Sequence, residues 1–181
     1  MRKRRGWLGW AVGAGLVVGL AAIMAWSHGR RVDRRFDALI AEAAQRHAVD
    51  PALVKAVIKQ ESRFDPDVRG KAGEIGLMQV GALAVKDWEV AHGRSVGRLA
   101  NLFDPRLNIE VGTWYLSRAL QQWAHREEQD VVALVQYNAG RQWALKVAGE
   151  REIIVLQDVP IASTRQYISN VRKYRTQYAQ P

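Results

Sequence analysis

Hydrophobic positions along residues 32–181 recur at the three-to-four-residue spacing of helices, and strand-like alternation is confined to Ile153–Val155. The first periodic run, about Arg34–His47, carries Phe36, Leu39, Ile40 and Ala43 on one face. Asp50-Pro51 pairs a capping carboxylate with a residue pre-set for the first turn, and opens a second helix to about Glu61. A loop with Pro66, Gly70 and Gly73 follows, then short helices predicted near Leu77–Val80 and Ala82–Ala91. Asp104-Pro105 repeats the opening signal for a long helix to about Trp123. Asp130 is predicted to cap the next, through Asn138, with Gly140 as punctuation, and another run reaches Ala148 before Gly149. After a loop at 150–162, Ser163 is predicted to cap a last helix with Tyr167, Ile168, Val171, Tyr174 and Tyr178 on one stripe. There is no internal repeat. Seven or so helices in 150 residues predict a compact all-α domain.

The segment before it has a different character. From Gly6 to Trp26 every residue is apolar or glycine, and as a helix these would span roughly 30 Å, the thickness of a bilayer's hydrocarbon core. Trp7 and Trp10 at one end and Trp26 at the other stand where an aromatic belt anchors a span. Residues 1–31 therefore read as a single transmembrane helix that tethers the domain of residues 32–181. A cleaved secretory signal is the competitor, with small residues at Gly19-Leu20-Ala21 and Ala25-Trp26-Ser27. Arg2, Lys3, Arg4 and Arg5 face Arg30, Arg31, Arg34 and Arg35, so charge does not decide the orientation.

This changes the meaning of the net charge. The chain has 27 basic and 18 acidic residues, a formal +9. Six of the basic residues, and none of the acidic ones, fall in residues 1–31, so the domain carries only +3. That is too little for a nucleic-acid footprint, and no helix concentrates arginines in a recognition pattern. Arg165, Arg172, Lys173 and Arg175, the densest cluster, read as a solvated face. There is no cysteine, which excludes a disulfide framework, a thiol nucleophile and a lipobox. His28, His47, His92 and His125 are scattered, so neither a metal nor another cofactor is expected.

One carboxylate sits on the wrong face. Leu53, Val54, Val57 and Ile58 form the apolar stripe of the second helix, and Glu61 continues it, four residues past Val57 and seven past Val54. Burial and the negative end of the helix dipole both raise the pKa of such a group, and a carboxyl protonated near neutrality suits a general acid. Spacing alone equally allows a glutamate paired with Lys59, Arg63 or a distant arginine.

The residues around Glu61 are more specific. Glu61-Ser62-Arg63-Phe64-Asp65-Pro66 is followed by Gly73-Glu74-Ile75-Gly76-Leu77-Met78-Gln79. A second block runs Asn101-Leu102-Phe103-Asp104-Pro105 with Asn108-Ile109, Gly112 and Tyr115-Leu116. Ala133-Leu134-Val135-Gln136-Tyr137-Asn138-Ala139-Gly140 makes a third, and Thr164-Arg165-Gln166-Tyr167-Ile168 with Val171 and Tyr174 a fourth. In this order, over about residues 37–176, the sequence resembles the soluble-type (SLT) lytic transglycosylases, lysozyme-like enzymes that cleave peptidoglycan.

The resemblance implies a lysozyme-like helical fold with Glu61 as the single catalytic residue. It would protonate the glycosidic oxygen between N-acetylmuramic acid and N-acetylglucosamine, then act as base on the muramoyl C6 hydroxyl, which closes a 1,6-anhydro ring. No water is consumed, and a tethered hydroxyl can outcompete solvent through its high effective molarity. The substrate's N-acetyl group would stabilise the cationic centre, an exception to the two-carboxylate scheme. Met78 and Gln79 would line the glycan groove, Tyr137 would stand beside Glu61, and Asn138 and Tyr167 would border the cleft; Ser62 is a further substrate-binding candidate, and it or a backbone amide could orient the acid in place of the family serine absent at Gly70.

The chain departs from the family pattern where Gly70 replaces a serine, Glu74 an alanine and Ser163 a glutamate. Val80-Gly81-Ala82-Leu83-Ala84 also lacks the usual Pro and Thr. Glu74 supplies a runner-up, lysozyme-like hydrolysis with two carboxylates, and an inactive membrane-tethered wall-binding scaffold is the non-enzymatic alternative. Because peptidoglycan lies outside the cytoplasmic membrane, the resemblance implies an inner-membrane anchor with the domain in the periplasm, or release there after signal cleavage. Such a tether suits local wall opening for an envelope-spanning secretion, conjugation or pilus machine as well as general turnover.

Overall fold

The computed structural model describes residues 33–149 and 153–180. The apolar run at Gly6–Trp26 lies outside them, and among the described residues no helix is long and apolar enough to cross a membrane. Residues 36–180 belong to one compact unit built of helices. These are α1 (Asp37–His47), α2 (Pro51–Glu61), α3 (Ala82–His92), α4 (Pro105–Gln122), α5 (Gln129–Ala139), α6 (Arg141–Ala148) and α7 (Ala162–Tyr178). Extended pairing among the described residues is limited to isolated bridges, Arg69 with Ile75, Ile75 with Val80, and Glu127 with Ile153.

The two Asp-Pro signals act as expected. Asp50 Oδ1 accepts from the Ala52 amide at 2.9 Å, and Asp104 Oδ1 from the Arg106 amide at 2.7 Å, each with proline in the first turn. Residues with positive φ stop the helices: Ala48, left-handed, after α1, and Gly140 and Gly149, in conformations open to glycine, after α5 and α6. The core lies where α2 and α5 meet α4 and α7. Val54, Val57 and Ile58 of α2 and Val131 to Val135 of α5 are wholly buried, as are Ile109 and Leu116 of α4. The unbroken apolar run Val131–Val135 puts the middle of α5 inside the bundle. Its buried Gln136 is satisfied by the Trp123 indole N–H at 2.9 Å.

Three expected details are corrected. Leu77–Val80 is a turn rather than a helix, because Gly76 and Gln79 both take positive φ and Val80 N–H bonds back to Ile75 O at 3.0 Å. Asp130 does not cap α5; Glu128 precedes the helix at φ 56°, and Asp130 instead receives Arg172 of α7 at 2.7 and 3.0 Å. Ser163 lies inside α7, which starts one residue earlier from Ile161 without a side-chain cap.

Candidate active site

Glu61 ends α2, and the chain then turns sharply. Arg63 and Phe64 take φ 55° and 66°, a left-handed pair without glycine, held by Phe64 wholly buried with its ring edge-on to Tyr178 at 6.3 Å. The turn leaves Glu61 at the helix end and carries the chain into the 65–80 loop. That loop is tied down by Asn108 of α4, itself wholly buried. The Asn108 amide donates to Ile75 O at 2.7 Å and Leu102 O at 2.8 Å, and its carbonyl accepts from Met78 N–H at 2.8 Å.

Across from α2, Tyr167 of α7 donates its hydroxyl to Glu61 Oε1 at 2.7 Å. Three ion pairs made by two arginines fix this register of α7: Arg172 with Asp130 and with Glu128, and Arg175 with Asp50 at 2.7 Å, at the cap of α2 itself. The Glu61 carboxyl is pushed up to about 7 from an ordinary value of 4.5. Burial is the largest cause, the Tyr167 hydrogen bond opposes it, and the charge of Glu74 adds to it. With Oε1 accepting from the phenol, Oε2 is the oxygen left to carry the acidic proton. Burial also drives the Tyr137 and Tyr167 hydroxyls well above a tyrosine's ordinary range, so both stay neutral donors.

A cleft of about 160 Å³ is lined by Glu74 and Tyr137, both of which interact electrostatically with Glu61, and by Gln79, Gly112 and Tyr115, with exposed Leu83 among its lining. The Tyr137 hydroxyl donates to Met78 O at 2.9 Å, and its ring tilts against Tyr115 at 5.9 Å. The Gln79 amide donates to Val68 O and Gly76 O, at 3.1 and 2.9 Å. A larger hollow of about 610 Å³ lies between α1, α3 and α4, among Arg46, His47, Trp88 and His92. It shares no residue with the Glu61 group, and the perturbed acid, more than cavity size, makes that group the candidate site. Among the described residues no three His, Asp or Glu are grouped to hold a metal.

Of the residues expected from sequence, the fold thus gathers Glu61, Gln79, Tyr137 and Tyr167. Asn138 is exposed and accepts from the Thr164 hydroxyl at 2.9 Å, tying α5 to α7. Met78 and Ser62 are corrected as groove contacts, because neither side chain reaches the surface. Met78 is wholly buried against Gly112, where a Cβ would lie 2.6 Å from its sulfur, and offers the cleft only its carbonyl. Ser62 is buried and bonds the Ile58 carbonyl of its own helix at 3.2 Å. Tyr115 was not expected in the cleft; its position one turn beyond Gly112 on α4 was the available signal.

A family model described as the Transglycosylase SLT domain matches residues 38–152. The soluble lytic murein transglycosylase of Escherichia coli strain K12 is 28% identical over 166 residues, covering 84% of this chain and 24% of that protein. The membrane-bound lytic murein transglycosylase E of Buchnera aphidicola is 22% identical over 145 residues, 77% of this chain and 66% of its own length. Among solved structures, an inactive glutamate-to-glutamine mutant of the lytic transglycosylase Slt from Pseudomonas aeruginosa superposes with a TM-score of 0.74 at 26% identity, over 81% of this chain and 24% of that one. The chain therefore spans about a quarter of the length of the Escherichia and Pseudomonas relatives. With an all-helical lysozyme-like fold and a family match over more than half its length, the chain belongs to the SLT transglycosylase domain family.

Proposed function

We propose that the chain is a peptidoglycan lytic transglycosylase that cleaves the β-1,4 bond between N-acetylmuramic acid and N-acetylglucosamine with Glu61 as acid and then base. The observation that carries this reading is the Glu61 carboxyl, raised to about 7 and oriented by the Tyr167 hydroxyl at 2.7 Å beside an aromatic cleft. Its proton passes to the glycosidic oxygen as the C1–O bond breaks. The resulting carboxylate takes the proton of the muramoyl C6 hydroxyl, whose oxygen bonds C1, and Glu61 ends as it began. Atoms and charge balance without water, metal or other cofactor. Gln79, Tyr137, Asn138 and Tyr167 border the bound glycan in this scheme, with Met78 and Ser62 supporting them from beneath. The names of the matched relatives agree with this chemistry, and the Pseudomonas one was made inactive by a Glu-to-Gln change.

We further propose that residues 1–31 anchor the domain of residues 32–181 on the periplasmic face of the cytoplasmic membrane, where it opens nearby wall for a local envelope-spanning machine or for turnover. The basis is the uninterrupted apolar run of 21 residues from Gly6 to Trp26. A second reading has one observation in its favour, the influence of the Glu74 carboxylate on Glu61, and predicts hydrolysis to reducing ends. Mass analysis of muropeptides released from purified sacculi separates the outcomes. Transglycosylation gives anhydro ends, lighter by one water, hydrolysis gives reducing ends, and a scaffold releases nothing.

A further inference from the structure

Thr164 is buried in the first turn of α7, yet its hydroxyl does not turn back on its own helix. It donates across to α5, to Asn138 Oδ1 at 2.9 Å. Asn138 is exposed in the last turn of α5, and among the described residues its amide nitrogen has no hydrogen-bond partner. An asparagine amide has one acceptor oxygen and an NH2 group with two donors, so holding the oxygen on Thr164 turns the donors outward. The pair stands close to the acid. Thr164 and Tyr167 lie three residues apart on one face of α7, roughly 4.5 Å along its axis. Tyr167 is the residue that bonds Glu61, and Asn138 directly follows Tyr137, which lines the cleft. One face of α7 thus holds the carboxyl through Tyr167 and the amide through Thr164.

We infer that Thr164 is a positioning residue that holds Asn138 as a fixed donor to an amide carbonyl of the bound glycan, one helical turn from the acid. This deepens the reading of the chain as a peptidoglycan-cleaving enzyme and rests on it. A free asparagine amide turns over and presents either its oxygen or its nitrogen, and a sugar hydroxyl meets both, because it donates as well as accepts. A carbonyl only accepts. Fixing the sense of the amide therefore favours carbonyls, and turning it over would set two oxygens against each other. Peptidoglycan offers such acceptors in the acetamido groups of both sugars and in the peptide arm of muramic acid. Thr164, being buried, touches no substrate and acts only through Asn138.

The test compares full-length protein carrying Thr164→Val, Thr164→Ser, Asn138→Ala and Thr164→Val/Asn138→Ala, with Glu61→Gln as control, on purified sacculi. Thr164→Val keeps the shape and removes the hydroxyl. Its KM is expected to rise about threefold to tenfold, with most of the loss in KM and little in kcat, as for a contact made equally before and during the reaction. Thr164→Ser restores the donor and is expected to return KM to within about twofold. In the Asn138→Ala background, Thr164→Val is expected to add little to KM, because the amide it positions is gone. A melting temperature lowered by Thr164→Val with KM unmoved, or an equal KM penalty in both backgrounds, overturns the inference and leaves the pair a tie between helices. Binding of an N-acetylglucosamine hexamer tells the two carbonyls apart. Weaker binding by Thr164→Val puts the acceptor on an acetamido group, and unchanged binding beside a raised KM on sacculi puts it on the peptide arm. If Glu61→Gln is inactive while KM in Thr164→Val stays put, only the Thr164 inference fails. If Glu61→Gln digests sacculi normally, the reading of the acid fails as well.

Discussion

The proton that matters is controlled by two opposed influences on one carboxyl. Burial raises Glu61, and the Tyr167 hydroxyl pulls it back by bonding the charged form more strongly. With the acid at about 7, activity is expected to fall as pH rises through that value, because the deprotonated form has nothing to donate. Tyr167→Phe removes the opposing influence, so the alkaline limb should move to higher pH. At the same time the carboxyl loses its fixed orientation, and kcat should fall roughly tenfold. A pH–rate profile of the variant checks both. A lower rate with an unmoved limb would assign Tyr167 to packing alone. The apolar stripe through Val54, Val57 and Glu61 marked the acid in the sequence, but Tyr167 as its partner, 106 residues away, was not readable from periodicity. Tyr167 sits on an apolar stripe, and only the packing of α7 on α2 turns its hydroxyl towards the carboxyl.

At the scale of elements, the sequence announced helices well where a local signal starts or stops them and poorly where tertiary contacts do. Asp50-Pro51, Asp104-Pro105, Gly140 and Gly149 stand at helix boundaries in the structure. Asp130 has the chemistry of a cap but is taken by Arg172, an ion pair made across 42 residues. The left-handed pair Arg63–Phe64 carries no glycine or asparagine to announce it, and exists because Phe64 has a buried seat beside Tyr178. Leu77–Val80 looked helical from its apolar run, yet Asn108 takes its backbone groups from 30 and 33 residues away. Asn108 is thus what makes the 65–80 loop a rigid wall for Gln79 and Glu74. Asn108→Ala removes three hydrogen bonds and takes the partner from the buried Met78 N–H, and is expected to destabilise the domain by about 2–3 kcal/mol. Thermal unfolding should show the loss, and amide exchange should show Ile75 to Val80 loosening before the core of α5. Unchanged exchange there would contradict this role.

Over the whole chain, charge and hydropathy distinguish two parts. The +9 belongs mostly to residues 1–31, where it flanks an apolar run, and the domain keeps +3. Fractionation is expected to find the full chain with the membranes, and residues 32–181 exported behind a cleavable signal in the soluble periplasmic fraction. Recovery of the full chain as a shortened soluble form would instead indicate signal cleavage. The most direct test of the central claim is mass analysis of muropeptides from sacculi digested by the full-length protein and by Glu61→Gln. The account predicts 1,6-anhydromuramoyl ends from the unsubstituted protein and a loss of roughly 10²–10⁴-fold in Glu61→Gln. Predominantly reducing ends, or undiminished digestion by Glu61→Gln, would contradict it.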